Sequence, residues 1–365
     1  MTSHSSSRAL VRRRNHDRSG EQKRKSAQSP REGQATNLYE QVTARIISEL
    51  EGGRLPWVQP WGKPGEGTGC APALPRNALS GRHYSGINIL LLWAEVIAKG
   101  YPSQRWLTFR QALEAGGTVR KGEHGCMVVY ADRFIPQAEK ARAQDSSEGE
   151  TDKASVRRTD ARRARAVPFL KRFTVFNVAQ CEGLDEQIVV DPDPVPEWEI
   201  VPIAEEVIAA SGVDFRVGGD KAYYMPSLDV VQVPPQPAFF EQINYYRTCL
   251  HELTHATGHA SRLARDLANG FGSPGYAREE LIAEMGSAFL CASLGIVPTV
   301  RHADYLGRWL AVLREDSRAI FRAARAASLA ADWLLERHRA SRDCDGGTKR
   351  DAPASDTGAE QGRAA

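Results

Sequence analysis

The sequence of 365 residues has no long hydrophobic run and no clustered cysteines. No apolar segment approaches the roughly 20 residues of a membrane-spanning helix, and the N-terminus lacks the apolar core of a signal peptide. The six cysteines are scattered and form no Cys-x-x-Cys pair, which argues against a disulfide framework or a structural cysteine zinc site. We therefore expect a cytoplasmic protein that has no membrane partner.

The sequence also carries little excess charge. Its formal net charge is +3 at pH 7, so any affinity for nucleic acid must come from local clusters of basic residues. Hydrophobic residues make up 41% and charged residues 25% of the chain, as in soluble globular proteins. This length and composition suffice for one large domain or two ordinary ones.

Three segments lack the large apolar residues that a core requires. Residues 1–36 form a polar, basic tail, residues 137–167 are dense in charge, and residues 339–365 are polar. We expect all three to be disordered, and a basic arm lying on phosphates is the alternative for the first. The β-rich runs at 126–134 and 169–181 flank the charged segment, so we expect these strands to pair across a disordered insertion.

The proline-rich stretch DPDPVPEW divides the ordered sequence into two predicted domains, 37–190 and 191–338. The first combines helices with short strands, and Thr108 is the predicted N-cap of a helix within WLTFRQALEAGG. The second opens with a helix and a strand pair. Its run YYMPSLDVVQVPP ends on two prolines, which favours an edge strand. The predicted fold class is therefore α+β in both domains.

A long helix is predicted from about 237 to 257. Its apolar residues recur at helical spacing, and they are Phe240, Ile243, Tyr246, Leu250 and Leu253. Gly258 ends this helix. We interpret His259, just past that glycine, as a cap or surface histidine, and Arg262 and Arg265 as solvated charges at the helix end.

The last turns of this helix contain the motif His-Glu-x-x-His. His251 and His255 are four residues apart, so their imidazoles project from one helix face and can share a cation. Glu252 lies about 100° further around the helix, where it can reach a water that the metal activates without displacing either ligand. A metal lowers the pKa of such a water towards about 7, and the carboxylate can then act as general base.

A catalytic zinc needs a third protein ligand. Metzincins place it six residues after the second motif histidine, where this chain has Ser261. The stretch EELIAEMGSAF places Glu280 and Glu284 four residues apart on one helix face. In thermolysin-like gluzincins a downstream helix supplies a glutamate ligand, and an acid four residues later contacts a ligand histidine. We therefore expect one Zn²⁺ per chain, held by His251, His255 and Glu280, with Glu284 as the contacting acid and Glu279 as the alternative ligand.

The first predicted domain is rich in aromatic and basic residues. Aromatic faces stack on unpaired bases while cations follow the phosphates, which is how single-stranded nucleic acid is bound. Aromatics at helical spacing are more often core residues, and Trp93 within INILLLWAEVI is interpreted as one. The candidates for DNA contact are Trp57, Trp61, Tyr84, Trp106, Arg120 and Lys121.

Several motifs in a fixed order resemble a known family. They are NLYEQV, LPWVQPW, RNALSGRHYSGINILLLW, WLTFRQA, VRKGEHG and FTVFNVAQCEGL, followed by HELTHATGH and EELIAEMGSAFLCASLGI. From about residue 38 to 335, interrupted by the charged insertion, the chain resembles the ArdC-type antirestriction proteins of conjugative plasmids. The same module forms the N-terminal part of some plasmid-encoded DNA primases.

The resemblance implies an N-terminal single-stranded-DNA-binding domain followed by a zincin-like metallopeptidase domain. It implies that His251, His255 and Glu280 hold the metal, that Glu252 is the base, and that the protein protects incoming plasmid DNA from restriction. Two functions stay open. The chain is either a metalloenzyme with a protein substrate, or a non-catalytic protein that coats single-stranded DNA and in which the zincin fold is structural.

Overall fold

The computed structural model describes most of the two predicted domains. The first helix begins earlier than the sequence predicts, at Glu32, and the last helix ends later, at Thr348. Trp61 and residues 137–166 of the predicted insertion lie outside the described residues. The described ranges are 32–58, 70–134, 167–189, 191, 197–270, 272–298 and 305–348.

The first half of the chain forms four helices, six strands and a 3₁₀ turn at Val178–Gln180 within the described ranges. The helices are α1 (Glu32–Glu51), α2 (Ile87–Lys99), α3 (Phe109–Glu114) and α4 (Glu186–Val189). The strands are β1 (Arg76–Asn77), β2 (Arg105–Leu107), β3 (Thr118–Val119), β4 (Cys126–Phe134), β5 (Val167–Asn177) and β6 (Cys181–Glu182).

The strands β4 and β5 pair with each other on either side of the predicted insertion. Their antiparallel register runs from Cys126↔Val175 to Phe134↔Val167, which confirms the predicted pairing. They belong to a four-stranded sheet of order β1-β2-β5-β4. Asn88 of α2 covers the edge of β4, because its side chain donates to the Val129 carbonyl and accepts from the Val129 amide, both at 2.8 Å.

Helix α3 begins where the sequence predicts. Thr108 Oγ1 accepts a hydrogen bond from the Gln111 amide at 3.2 Å, and Gln111 Oε1 accepts one from the Thr108 amide at 3.0 Å. This reciprocal capping box satisfies two amides at the helix start that have no partner within the helix. The predicted N-cap is confirmed.

The second half of the chain forms a small sheet and five helices within the described ranges. The helices are α5 (Glu197–Ala210), α6 (Gln242–Ala256), α7 (Pro274–Ser293), α8 (Leu306–Glu315) and α9 (Ala319–Thr348). The strands are β7 (Asp214–Val217), β8 (Tyr223–Met225) and β9 (Val230–Val233), in the order β7-β9-β8. The α+β fold class is confirmed in both halves.

Two predictions for this half were wrong. Strand β9, which ends just before the two prolines, is central and lies between β7 and β8. The prolines follow β9 and do not interrupt its hydrogen bonds. Helix α6 begins at Gln242 and not at 237, since a 3₁₀ turn at Gln236–Ala238 precedes it. Phe240 therefore lies outside the helix and is fully exposed, while Leu250 and Leu253 are buried as predicted.

One hydrophobic core joins the two halves. Trp57, which follows α1, packs edge-on against Trp309 of α8 at a ring-centroid distance of 5.6 Å. Trp93 of α2 packs in the same way against Phe289 of α7 at 5.7 Å, so its interpretation as a core residue is confirmed. No helix in the described ranges is both long and apolar enough to cross a bilayer.

The burial of two tryptophans corrects the predicted DNA contacts. Trp57 and Trp106 are both 0% exposed. Trp106 contacts the Tyr101 ring at 6.0 Å, and Trp57 is enclosed by the interface between the halves. Neither ring can stack on a base, so the prediction that these two residues contact DNA was wrong.

Candidate metal centre

Helices α6 and α7 approach each other closely because Gly286 of α7 faces α6. A Cβ atom at position 286 would lie 2.5 Å from Cγ2 of Thr254, which is closer than real Cβ contacts allow. Ser273 caps the start of α7 by accepting a hydrogen bond from the Tyr276 amide at 3.1 Å, and Pro274 occupies the first turn. These local features bring the start of α7 beside the last turns of α6.

The close approach places the three predicted ligands together. His251 Nε2 lies 3.6 Å from Glu280 Oε2, and His255 Nε2 lies 3.5 Å from Glu280 Oε1. One ligand atom from each residue falls within 4.8 Å of the others. Two imidazole nitrogens and one carboxylate oxygen are the donors of many catalytic zinc sites, and three protein ligands leave a position open. The donor set therefore fits a divalent cation.

The charges of these groups are strongly coupled. Burial acts to raise the pKa of Glu280, but the interactions with the imidazoles of His251 and His255 outweigh it and hold that pKa well below its usual range. Burial acts to lower the pKa of His255, whereas the carboxylates of Glu279 and Glu280 raise it to about 10. The carboxylates thus make this pocket a strong attractor of positive charge.

The structure assigns different surroundings to the two neighbouring glutamates. Glu280 faces the Nε2 atoms of both histidines, while Glu279 Oε1 lies 3.2 Å from Nδ1 of His255, on the other side of that ring. The carboxylate of Glu279 is in turn paired with Arg265 at 2.7 Å. A partner at Nδ1 fixes the tautomer of a ligand histidine and leaves Nε2 free to coordinate. Glu280, and not Glu279, therefore has the position of a ligand.

Glu284 lies one helical turn beyond Glu280 and beside the other histidine. Its Oε1 is 3.9 Å from Nδ1 of His251, and both side chains are buried. This distance exceeds that of a normal hydrogen bond, so the contact is an electrostatic one at this separation. The structure thus places Glu284 beside His251, one of the two candidate ligand histidines.

Arg265 is mostly buried and is paired, contrary to its interpretation as a solvated charge. Besides Glu279 it donates to Oγ1 of Thr257 at 2.8 Å and to the Thr254 carbonyl at 2.7 Å. Gly258 permits this path, because a Cβ there would lie 2.9 Å from Arg265 Nη2. No local pattern indicates this pairing, since the chain reverses direction between His255 and Arg265.

Arg262, like Arg265, is held by specific contacts and is not a solvated charge. Its Nε donates to the Ala256 carbonyl at 2.7 Å, and its guanidinium pairs with Asp229. Tyr224 donates to Asp229 at 2.8 Å, and Asp229 has a positive φ of 54° in the turn between β8 and β9. The C-terminus of α6 is thereby tied to strand β8. His259 lies outside the ligand cluster, with Nδ1 3.6 Å from Asp229.

A cavity of about 230 Å³ opens onto the candidate ligands. Glu252 lines it together with the two histidines and Glu280, and so does Tyr276 from the first turn of α7. Strand β8 forms another wall through Tyr223 and Tyr224. A candidate base, three candidate ligands and an edge strand therefore face one open cavity.

The remaining candidates for DNA contact lie in two segments of the first half, one before α2 and one between β3 and β4. Tyr84 is half-buried against the core. Arg120 and Lys121 are exposed on the turn between β3 and β4, and Arg120 pairs with Glu123 at 2.9 Å. The contacts of these three side chains with DNA stay predictions.

The arrangement of α6 and α7 defines the class of this half: a zincin-like fold whose motif helix supplies two histidines and whose next helix supplies a glutamate. Residues 202–326 match a family model described as zincin-like metallopeptidase, and residues 36–176 match the N-terminal domain of the anti-restriction factor ArdC. The chain belongs to the ArdC family of antirestriction proteins.

Solved structures and relatives agree with this assignment. Crystal structures of the antirestriction protein ArdC from plasmid R388, metal-free and Mn(II)-bound, are 38% identical to this chain, with TM-scores of 0.65 and 0.63. The metal-free structure covers 83% of this chain, which in turn covers 98% of that protein. The Mn(II)-bound structure covers 82%, and the chain again covers 98% of it.

Two relatives differ in length. The uncharacterized protein y4eC of Sinorhizobium fredii is 40% identical over 304 residues, which are 82% of this chain and 92% of y4eC. The DNA primase TraC of Escherichia coli is 39% identical over 307 residues, but the chain spans only 27% of TraC. The shared module is therefore one part of that longer protein.

Proposed function

We propose that this antirestriction protein binds single-stranded DNA and carries a zinc-dependent peptidase centre, and that it protects the DNA of a mobile element during transfer. The observation that carries the proposal is the convergence of His251, His255 and Glu280 within 4.8 Å, with Glu252 lining the same cavity. The relatedness to ArdC supports the antirestriction role, and the relatedness to part of a plasmid primase supports the link to DNA transfer.

The donor set favours one Zn²⁺ per chain. Imidazole nitrogens suit zinc, whereas oxygen-rich sites suit manganese, and the Mn(II)-bound ArdC structure supports a divalent cation in this family. When bound, the cation would polarise a carbonyl group and lower the pKa of a water molecule. His251, His255 and Glu280 would hold it, while Glu279 and Arg265 orient His255.

Glu252 has the position of the general base. It follows His251 directly on α6, so its carboxylate enters the cavity beside the ligands without occupying their face. A carboxylate so placed can take a proton from water and deliver it to a leaving amine. Burial and the neighbouring carboxylate of Glu280 raise the pKa of the Tyr276 phenol, so this side chain lies beside that candidate ligand.

The edge strand beside the cavity supports a protein substrate. Among the described strands β8 pairs only with β9, and its residues Tyr223 and Tyr224 line the cavity. An extended peptide can add to such an edge through main-chain hydrogen bonds. A bound peptide would then pass close to Glu252 and the ligands.

The metal half of the proposal is tested with the wild type and two variants. We expect about one zinc per purified wild-type chain, loss of zinc in Glu280→Ala, and retention of zinc in Glu252→Gln. We further expect Glu252→Gln to abolish peptide hydrolysis and to weaken protection of transferred DNA from restriction. If Glu252→Gln keeps its zinc and protects DNA as well as the wild type, the peptidase role is refuted and the non-catalytic coating protein is correct.

The DNA half is tested by binding to single- and double-stranded oligonucleotides over a series of salt concentrations. We expect tighter binding to the single strand, with part of the affinity retained at high salt because stacking is not screened. Equal weak binding to both forms, lost in salt, would contradict single-strand recognition and leave only phosphate attraction.

A further inference from the structure

The two faces of the β4–β5 hairpin differ near the end of β5. Alternate residues of a strand point to opposite faces. Cys126 and Val175 are paired on one face and are buried, and Cys126 Sγ contacts the Leu91 carbonyl of α2 at 3.9 Å. Arg172 and Thr174 lie on the other face and are exposed. We name the group of Arg172, Thr174 and Phe176 the outer face.

Phe176 of the outer face forms an aromatic pair with Phe109 of α3. Phe109 is the first residue of α3 and is 52% exposed, and its ring centroid lies 6.4 Å from that of Phe176. The core contact of α3 is made by Ala112, which is fully buried. Packing of the helix therefore does not require an aromatic ring at position 109.

Gly125 allows the Phe176 ring to lie across the sheet. This glycine immediately precedes β4, and a Cβ at its position would lie 2.4 Å from Cγ2 of Thr174 and 3.0 Å from Cε1 of Phe176. Any larger residue would push both side chains away from the strand. The absence of a side chain at Gly125 thus leaves room for the Phe176 ring beside Thr174.

Cations flank the aromatic pair. Arg172 is exposed on β5, four residues before Phe176 and on the same face of the strand. Arg110 follows Phe109, and its side chain is 88% exposed with only a surface pair to Glu114, which contributes little and leaves the guanidinium accessible. Rings that stack on bases, with cations that reach phosphates, are the combination that binds single-stranded nucleic acid.

We infer that the outer face together with Phe109 and Arg110 is the surface that holds single-stranded DNA. This inference rests on the proposed DNA-binding function and gives it a location. Phe109 and Phe176 stack on unpaired bases, and Arg110 and Arg172 contact the backbone. A duplex cannot use this surface in the same way, because its bases are already stacked on one another.

The chain supplies matched controls for a test. Phe173 is on the same strand as Phe176 but points to the opposite face, and it is 47% exposed. Lys171 likewise lies on the opposite face from Arg172. Phe109→Ala and Arg172→Ala are therefore compared with Phe173→Ala and Lys171→Ala, using fluorescence anisotropy of a labelled oligothymidine at several salt concentrations. Circular dichroism checks that each variant is folded.

We expect Phe109→Ala to weaken single-strand binding about tenfold, while Phe173→Ala changes it less than about twofold. We expect Arg172→Ala to reduce the slope of log affinity against log salt by about one, while Lys171→Ala leaves it unchanged. Provided that the wild type binds single-stranded DNA, either of two results would overturn the inference. One is wild-type affinity in Phe109→Ala, and the other is a loss of affinity in Phe173→Ala as large as or larger than that in Phe109→Ala. Failure of the wild type to prefer single strands would instead refute the proposed function.

Discussion

Arg265 donates two hydrogen bonds to Glu279, at 2.7 and 3.1 Å, and Glu279 contacts His255 at 3.2 Å. Both side chains of this ion pair are about nine-tenths buried. Buried charges are costly unless they are paired and hydrogen-bonded, and Thr257 and the Thr254 carbonyl complete the contacts of Arg265. The pair ties the loop after α6 to α7 and fixes the orientation of a candidate ligand.

Replacing Arg265 is expected to weaken the metal centre. Arg265→Met retains most of the aliphatic volume but removes the donors to Glu279, so His255 loses its fixed partner. We expect metal affinity to fall roughly 10- to 100-fold and the free energy of unfolding to fall by about 3 kcal/mol. Chelator competition and denaturant unfolding measure the two effects.

The control for this change is Arg216→Met. Arg216 pairs with Asp214 on the surface, where both side chains are about half exposed or more, so metal affinity should not change. The positioning role of Arg265 would be excluded by a variant that unfolds more easily yet binds metal with wild-type affinity in its folded state.

The close contact between α6 and α7 predicts that Gly286 tolerates no side chain. In Gly286→Ala the new methyl group would meet Cγ2 of Thr254 at 2.5 Å, which forces the two ligand-bearing helices apart. We expect a loss of about 1–3 kcal/mol in the free energy of unfolding and weaker metal binding. Gly307→Ala in α8 is the control, since a Cβ there has no neighbour within 4 Å among the described atoms, and we expect it to be neutral or slightly stabilising. Equal stability of the two variants would contradict the close packing.

The ion pairs of Asp191 are expected to make a pH-dependent contribution to the free energy of unfolding. Its carboxylate pairs with Arg76 at 2.9 Å and Arg105 at 2.8 Å, and accepts from the Gln104 amide at 3.0 Å. Burial acts to raise its pKa, but hydrogen bonds from Ser103 and the two arginines hold the pKa below its usual value. Because the pKa of Asp191 is lower in the folded than in the unfolded protein, its contribution to stability is complete above the unfolded-state pKa, near 3.9. That contribution is lost as the pH falls through the folded-state pKa.

Asp191→Asn should therefore lower the free energy of unfolding by about 2 kcal/mol at pH 7, and by progressively less as the pH falls below about 4. Denaturant unfolding of both proteins between pH 7 and pH 3 measures this difference. Asp214→Asn serves as the exposed control, because Asp214 also pairs with arginine but at the surface. If the difference in free energy of unfolding between the wild type and Asp191→Asn stays constant down to pH 3, the charge of Asp191 is not the cause of that difference.

Local spacing predicted the parts of the centre that lie within one helix, and tertiary contacts decided the rest. His251, Glu252 and His255 follow from helical periodicity alone. The pairing of Glu279 with Arg265 depends on a chain reversal that no local pattern indicates. The start of α6 was misplaced because the prolines after β9 favour a turn where the apolar pattern still continued.

Trp57 shows the same limit for the first half of the chain, since its partner Trp309 comes from the other end of the chain. Its burial predicts that Trp57→Ala costs about 3–5 kcal/mol of stability. Trp57→Phe should cost less, because Nε1 of Trp57 has no hydrogen-bond partner among the described residues. The folded Trp57→Phe protein should bind single-stranded oligonucleotide with wild-type affinity, since the ring packs in the interface between the halves. Thermal unfolding and anisotropy measure the two properties. A folded Trp57→Phe variant with about tenfold weaker DNA binding would mean that the interface around Trp57 opens to admit DNA.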